Sequence, residues 1–116
     1  MNKKRLAGIE KEITRLISKI LLEEIKNPKI SGLVSVTTCR LTPDIKFADV
    51  FFSVMSINNE EVDTEKTLEG LNEIKKYLRK RLGEELSLRY TPEIRVKLDE
   101  TIEYGVKIAK ILNEVK

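Results

Sequence analysis

LVSVTTCRLTPDIKFADVFFSV, residues 33–54, contains two runs in which apolar side chains recur at every second position. Successive side chains of a β-strand point to opposite faces of a sheet, so this period predicts two strands. Thr42, Pro43 and Asp44 lie between them and are typical turn residues, with proline presetting φ. Because this connection is short, we expect the two strands to form an antiparallel hairpin.

Each predicted strand has one face that helices are expected to cover. Three side chains share one face of the first strand, which runs to about Leu41: Val34, Val36 and Thr38. Three others share its opposite face: Ser35, Thr37 and Cys39. In the second strand, Phe47, Asp49, Phe51 and Ser53 alternate with the more apolar set: Ala48, Val50, Phe52 and Val54. This difference in polarity is typical of a sheet with helices on one side.

Amphipathic helices are predicted on both sides of this hairpin. From about Lys3 to Lys26, apolar residues recur in steps of three and four, which is typical of a helix with one buried face. Pro28 ends this pattern, because the residue before proline avoids the α region. A second helix is predicted from about Asp63 or Thr64, with Gly83 as a weak point near its end. Its apolar side comprises Leu68, Leu71, Ile74, Leu78, Leu82 and Leu86.

The last part of the sequence predicts a third strand and a third helix. Residues 90–92 open the strand, where proline costs no ladder hydrogen bond. Its inward side chains are Ile94, Val96 and Leu98, and its outward ones are Arg95 and Lys97. The final helix spans about residues 101–115. The predicted fold is therefore a single α+β domain over residues 1–116, in the order α-β-β-α-β-α, with helices packed on a three-stranded sheet.

Composition indicates a soluble globular protein. The 116 residues are 41% apolar and 35% charged, enough for one hydrophobic core. No apolar run approaches the roughly 20 residues that span a bilayer, and the basic N-terminus lacks the apolar core of a secretory signal. Cys39 is the single cysteine, so no intrachain disulfide forms. We expect a cytoplasmic protein.

The residues that are missing from the sequence exclude most catalytic machinery. There is no histidine, one cysteine, and no phosphate-binding glycine motif among five glycines. We therefore expect neither an enzyme nor a bound metal or cofactor, and no constellation supports a hydrolase that uses paired carboxylates. Without histidine, Cys39 is interpreted as a small packing residue rather than as a nucleophile.

Positive charge is concentrated in residues 74–97, directly after the acidic segment 60–73. At 100° per residue, Lys76, Arg79 and Lys80 lie opposite the apolar stripe of the second helix and form an exposed cationic band, as phosphate binding requires. The candidate RNA-binding residues are Lys75, Lys76, Arg79, Lys80, Arg81, Arg89, Arg95 and Lys97, with Lys3, Lys4 and Arg5 in support.

Charge alone leaves two readings of this segment open. Acidic residues early and basic residues late in a helix also suit the helix dipole, so a solvated helix explains the pattern equally well. Arg95 and Lys97 favour RNA, provided that helix and strand present one continuous patch. Phe51 is a candidate for stacking on bases, whereas Phe52 is expected in the core. The alternative function is an adaptor whose helices bind a protein partner.

Several segments, in a fixed order, carry a family resemblance. They are Arg5, EIKNPK at 24–29, LVSVT at 33–37, LTPD at 41–44, ADVFFSV at 48–54, YLR at 77–79, LSLRYTPEI at 86–94, and Asp99 with IEYG at 102–105. Across nearly the whole chain they resemble the ribosome-binding factor A family of small-subunit assembly factors. The resemblance implies a type II KH-like fold in which the RNA-binding helices carry an Ala-x-Gly kink.

At the kink position this chain has Ile74, Lys75 and Lys76, without glycine. The break is therefore weaker than in the family, shifted toward Gly83, or absent. The resemblance further implies a protein that binds free or immature small ribosomal subunits and their 16S rRNA. Nothing in the sequence demands dimerisation, so we expect a monomer. It would assist late rRNA maturation, notably in the cold, without catalysis, a small-molecule substrate or a membrane.

Overall fold

The computed structural model of the protein describes residues 3–30, 33–55 and 63–99. Its helices and strands are α1 (Lys3–Glu23), β1 (Leu33–Leu41), β2 (Phe47–Met55), α2 (Thr64–Glu85) and β3 (Glu93–Leu98). The predicted α+β class and the order of the first five elements are confirmed. The helix predicted for residues 101–115 lies outside the described residues. None of the described helices is long and apolar enough to span a membrane.

The central strand of the sheet is β2. It pairs antiparallel with β1, as the hairpin prediction requires, and parallel with β3. Both helices cover one face: α1 packs mainly on β1, and α2 on β3. The core between the layers comprises Ile13, Leu16, Ile17, Ile20, Cys39, Leu41, Ala48, Val50, Phe52, Leu71, Leu78, Leu82 and Ile94.

A β-bulge in β1 corrects the predicted faces of that strand. Val36 pairs with Phe52 and Thr38 with Phe51, which leaves Thr37 as an extra residue. The inserted residue reverses the alternation, so Cys39 is buried and Thr38 is exposed. The prediction that Thr38 shares a face with Val34 and Val36, with Cys39 opposite, is therefore wrong.

Helix α1 ends at Glu23, three residues before the predicted end at Lys26. Pro28 lies in a separate turn, in which the Ile30 amide donates to the Asn27 carbonyl at 3.0 Å. The Lys29 amide also donates to Asn27 Oδ1 at 2.9 Å. Proline therefore shapes the turn that follows the helix rather than marking the helix end.

Helix α2 is hydrogen-bonded without interruption over 22 residues. Asp63 caps its start, where the carboxylate accepts from the Lys66 amide at 3.0 Å. Of the three alternatives for the family's kink, the structure shows an unbroken helix through both Ile74–Lys76 and Gly83. At Gly83 a Cβ would lie 3.0 Å from Thr91 Oγ1, so glycine lets the segment before β3 lie close to the helix.

Candidate nucleic-acid interface

Four of the predicted cations surround one depression on the surface. It has a volume of about 530 Å³ and lies between the second half of α2 and the segment that leads into β3. We call it the basic depression. Its lining residues are Lys76, Arg79, Lys80, Gly83, Arg89, Tyr90 and Thr91.

Helix geometry and one pair of hydrogen bonds position these cations. Positions 76, 79, 80 and 83 are spaced by three and four residues, so they share one face of α2. Arg79 Nε and Nη2 donate to the Thr91 carbonyl at 3.3 and 3.1 Å, which holds the segment before β3 against the helix. The bond to a neutral carbonyl leaves the charge of Arg79 uncompensated.

The basic depression has no acidic lining residue, and its lysines have no salt-bridge partner among residues 3–30, 33–55 and 63–99. Four like charges around one cavity raise the local potential and favour an anion. Lysine supplies a compact charge and arginine a planar fork of donors, and both suit phosphate oxygens. The arrangement is chemically suited to binding the backbone of a nucleic acid.

Arg81 instead forms salt bridges with acidic side chains. Its Nε and Nη2 donate to Glu24 at 2.9 and 3.2 Å, and its Nη1 donates to Glu84 and Glu85 at 2.9 and 3.1 Å. The Arg81 guanidinium lowers the pKa of the Glu24 carboxyl, and a hydrogen bond from the Tyr77 hydroxyl adds to this effect. Arg81 therefore joins α2 to the segment that follows α1.

Arg95 and Lys97 lie on the other side of the sheet from the helices. Arg95 pairs in register with Asp49, and Lys97 with Phe51, whereas the alternate residues of these strands face the core. Arg95 donates to both oxygens of Asp49, at 2.5 and 3.1 Å, and lies 4.6 Å from the Phe47 ring centroid. The expectation of one continuous patch made by helix and strand is wrong, because neither cation lines the basic depression and Asp49 neutralises Arg95.

The remaining predicted cations lie outside the basic depression. Lys3, Lys4 and Arg5 are exposed at the start of α1, and Lys75 is partly buried on α2. None of these four lines the depression. The candidate base-stacking residue Phe51 is partly buried on the outer face of the sheet.

Three lining residues were not among the predicted site residues: Gly83, Tyr90 and Thr91. Tyr90 is the aromatic one. The residue is 69% exposed, and the guanidinium carbon of Arg89 lies 5.7 Å from its ring centroid. An aromatic residue that directly follows arginine in a segment between helix and strand was the available signal.

Comparison with known proteins identifies the family of this chain. The model of the ribosome-binding factor A family matches residues 5–112. A protein of Fusobacterium nucleatum named ribosome-binding factor A is 58% identical, over 100% of this chain and 99% of the relative.

Solved structures agree with this sequence match. The crystal structure of ribosome-binding factor A from Thermus thermophilus has a TM-score of 0.66 at 20% identity and covers 80% of this chain and 93% of that one. A Thermus thermophilus homology model, fitted into the cryo-EM map of a complex with the 30S subunit, has a TM-score of 0.61 at 21% identity and covers 78% and 90%. These likenesses show the fold expected from the resemblance. With the family match over most of its length, the chain belongs to the ribosome-binding factor A family.

Proposed function

We propose that this protein is a non-catalytic assembly factor that binds free or immature small ribosomal subunits through 16S rRNA. The observation that carries the proposal is the basic depression, in which Lys76, Arg79, Lys80 and Arg89 line one surface that has no acidic lining residue. Family membership supports a ribosomal partner. The 30S complex of the Thermus relative supports the small subunit as that partner.

Assistance to rRNA maturation requires no chemical step in this proposal. A protein that binds one rRNA conformation more tightly than another shifts the population toward the first. The protein acts as one domain, a cytoplasmic monomer, on late processing of 16S rRNA, including in the cold. Lys3, Lys4, Arg5, Lys75 and Lys97 remain predicted peripheral contacts, whereas Arg81 and Arg95 are left out because acidic side chains already bind them.

Charge reversal in the basic depression tests the proposal. We expect Lys76→Glu combined with Lys80→Glu to abolish co-sedimentation with purified small subunits, because it replaces two attractive charges with repulsive ones. Both side chains are exposed, so circular dichroism and thermal unfolding should match the unmodified protein.

The matched control is Lys11→Glu combined with Lys19→Glu. It reverses the charge of two exposed lysines of α1 that do not line the basic depression. Its net charge therefore equals that of the Lys76/Lys80 variant. This control should co-sediment normally. Undiminished binding of the Lys76/Lys80 variant, or equal loss in both variants, would contradict the assignment of the site.

An adaptor for a protein partner is the alternative function. The observation that favours it is an apolar groove between α1 and β1, lined by Leu21, Leu22, Ile25, Ile30 and Leu33 among others. Ionic strength separates the two functions. Binding to rRNA weakens steeply as the salt concentration rises, because each phosphate contact releases condensed counterions. Docking in an apolar groove has no such dependence.

A further inference from the structure

A second depression adjoins the basic depression and shares one wall with it. It has a volume of about 450 Å³. We call it the Tyr90 cleft. Its lining residues are Asp44, Ile45, Lys46, Phe47, Arg79, Tyr90, Thr91 and Glu93. Arg79, Tyr90 and Thr91 line both depressions, so one ligand can occupy the two together.

The two depressions differ in chemistry. The basic depression holds four cations and no acidic lining residue. The Tyr90 cleft instead combines the rings of Tyr90 and Phe47 with balanced charges, two carboxylates (Asp44, Glu93) and two cations (Lys46, Arg79). A hydrogen bond from Thr42 lowers the pKa of the Asp44 carboxyl, so this group is charged at neutral pH. Carboxylates repel phosphate but accept hydrogen bonds from the amino groups of bases. The cleft therefore suits a flat, uncharged base, and the basic depression suits the phosphates on either side of it.

Tyr90 presents an aromatic ring where the two depressions meet. Thr91, the next residue, is held by Arg79, and Pro92 after it is fully buried, so the backbone beside the ring is fixed. Arg89 lies over the ring, and Tyr90 as a residue is 69% exposed. Exposed aromatic side chains beside a cationic groove are typical of surfaces that bind single-stranded nucleic acid.

We propose that this surface binds an unpaired nucleotide, whose base stacks on Tyr90 while the neighbouring phosphates lie in the basic depression. This inference rests on the proposed rRNA binding and narrows its ligand to single-stranded RNA. A base within a helix is stacked on its neighbours and paired, so its face is closed to Tyr90. Duplex RNA has access to the phosphate-binding part of the surface alone.

Binding to a short unpaired RNA oligonucleotide and to the same strand annealed to its complement tests this inference. Fluorescence anisotropy would compare the unmodified protein with Tyr90→Ala and Tyr90→Phe. We expect Tyr90→Ala to weaken binding of the single strand about tenfold, since it removes one base–aromatic stack. Tyr90→Phe keeps the ring and should bind as the unmodified protein does. Neither variant should change binding of the duplex or the dependence on salt.

The outcomes separate this inference from the proposed function. Unchanged single-strand binding by Tyr90→Ala, or equal weakening for single strand and duplex, would overturn the role of Tyr90 even if Lys76→Glu with Lys80→Glu still abolishes binding to the subunit. If the unmodified protein binds neither RNA nor small subunits, the proposed function fails, and this inference fails with it. Thermal unfolding confirms that each variant is folded.

Discussion

Cys39 shows how its surroundings decide the chemistry of a single side chain. The bulge at Thr37 turns it into the core, where it is 3% exposed. Burial raises the pKa of its thiol to about 12, and the nearby charges of Glu10 and Asp49 add to the effect. Because the thiolate is the reactive form, a thiol that stays protonated at neutral pH is a packing group.

We expect Cys39 to resist alkylation by iodoacetamide at pH 8 in native buffer and to react fully in urea.

The raised pKa of the Cys39 thiol also predicts that the stability of the protein depends on pH. The folded-state pKa lies above the ordinary value of 9.0. As pH rises from about 9 toward 12, the unfolded chain therefore releases a proton that the folded protein keeps, and the free energy of unfolding falls. The Cys39→Ala variant should lose the part of the fall in urea midpoint between pH 8 and pH 11 that the thiol causes. Rapid alkylation of Cys39 in the native protein would contradict its interpretation as a buried, protonated packing group.

Lys80 and Arg81 are neighbours in sequence with different surroundings. Lys80 lines the basic depression, whereas Arg81 meets three glutamates. The helical period was sufficient to predict that Lys76, Arg79 and Lys80 share an exposed face. It could not predict the pairing of Arg81 with Glu24, since a partner 57 positions away depends on how α1 and α2 pack. The same holds for Arg95, which meets Asp49 through the parallel pairing of two strands.

At the scale of the elements, two helical glycines predict opposite effects of the same substitution. A Cβ at Gly70 of α2 would lie 2.8 Å from Ile30 Cγ1 and 3.0 Å from Lys29 Cβ, whereas a Cβ at Gly8 of α1 would meet nothing within 4 Å. Gly70→Ala should destabilise the protein by about 1–3 kcal/mol through overpacking. Gly8→Ala should stabilise it by about 0.5–1 kcal/mol, because alanine is the better helix former.

Urea unfolding of the two glycine variants measures both effects, and each variant serves as the control for the other. A gain in stability from Gly70→Ala would show that the turn at residues 27–30 moves easily away from α2. The close contact between this turn and the helix would then contribute little to the fold.

Periodicity was sufficient to predict the hairpin, the long helices and their apolar faces. It could not predict the bulge, because Thr37 and Thr38 are both good strand residues and neither marks the insertion. The error in the end of α1 has a similar origin. Pro28 limits how far a helix can extend, but the chain already leaves the helix after Glu23 to form the turn that packs against Gly70. The position of β3 beside β2 also depends on tertiary packing rather than on local sequence.

For the whole molecule, the proposed interface predicts a measurable salt dependence. Each phosphate contact contributes about 0.7–0.9 to the slope of log affinity against log salt concentration. Lys80→Gln removes one cation from the basic depression. We therefore expect it to reduce the magnitude of the slope by the contribution of about one phosphate contact. Titrating binding to small subunits at several salt concentrations gives the slope directly.

Lys19→Gln is the matched control for Lys80→Gln. It removes one exposed lysine from α1, away from the basic depression, and should leave the slope unchanged. If both variants lower the slope equally, the attraction comes from net charge rather than from a defined surface. An unchanged slope for Lys80→Gln would remove that lysine from the interface.

The unbroken helix α2 also separates charge along its own length. Glu65, Glu69 and Glu73 lie in its first half, along a rod of about 33 Å. Three cations of the basic depression lie in its second half: Lys76, Arg79 and Lys80. In the electric field of a polyanion, this charge separation produces a torque. The torque turns the basic end of the helix toward the polyanion and the acidic end away from it before contact. The protein would then reach its target already facing the right way, so that a larger share of collisions is productive.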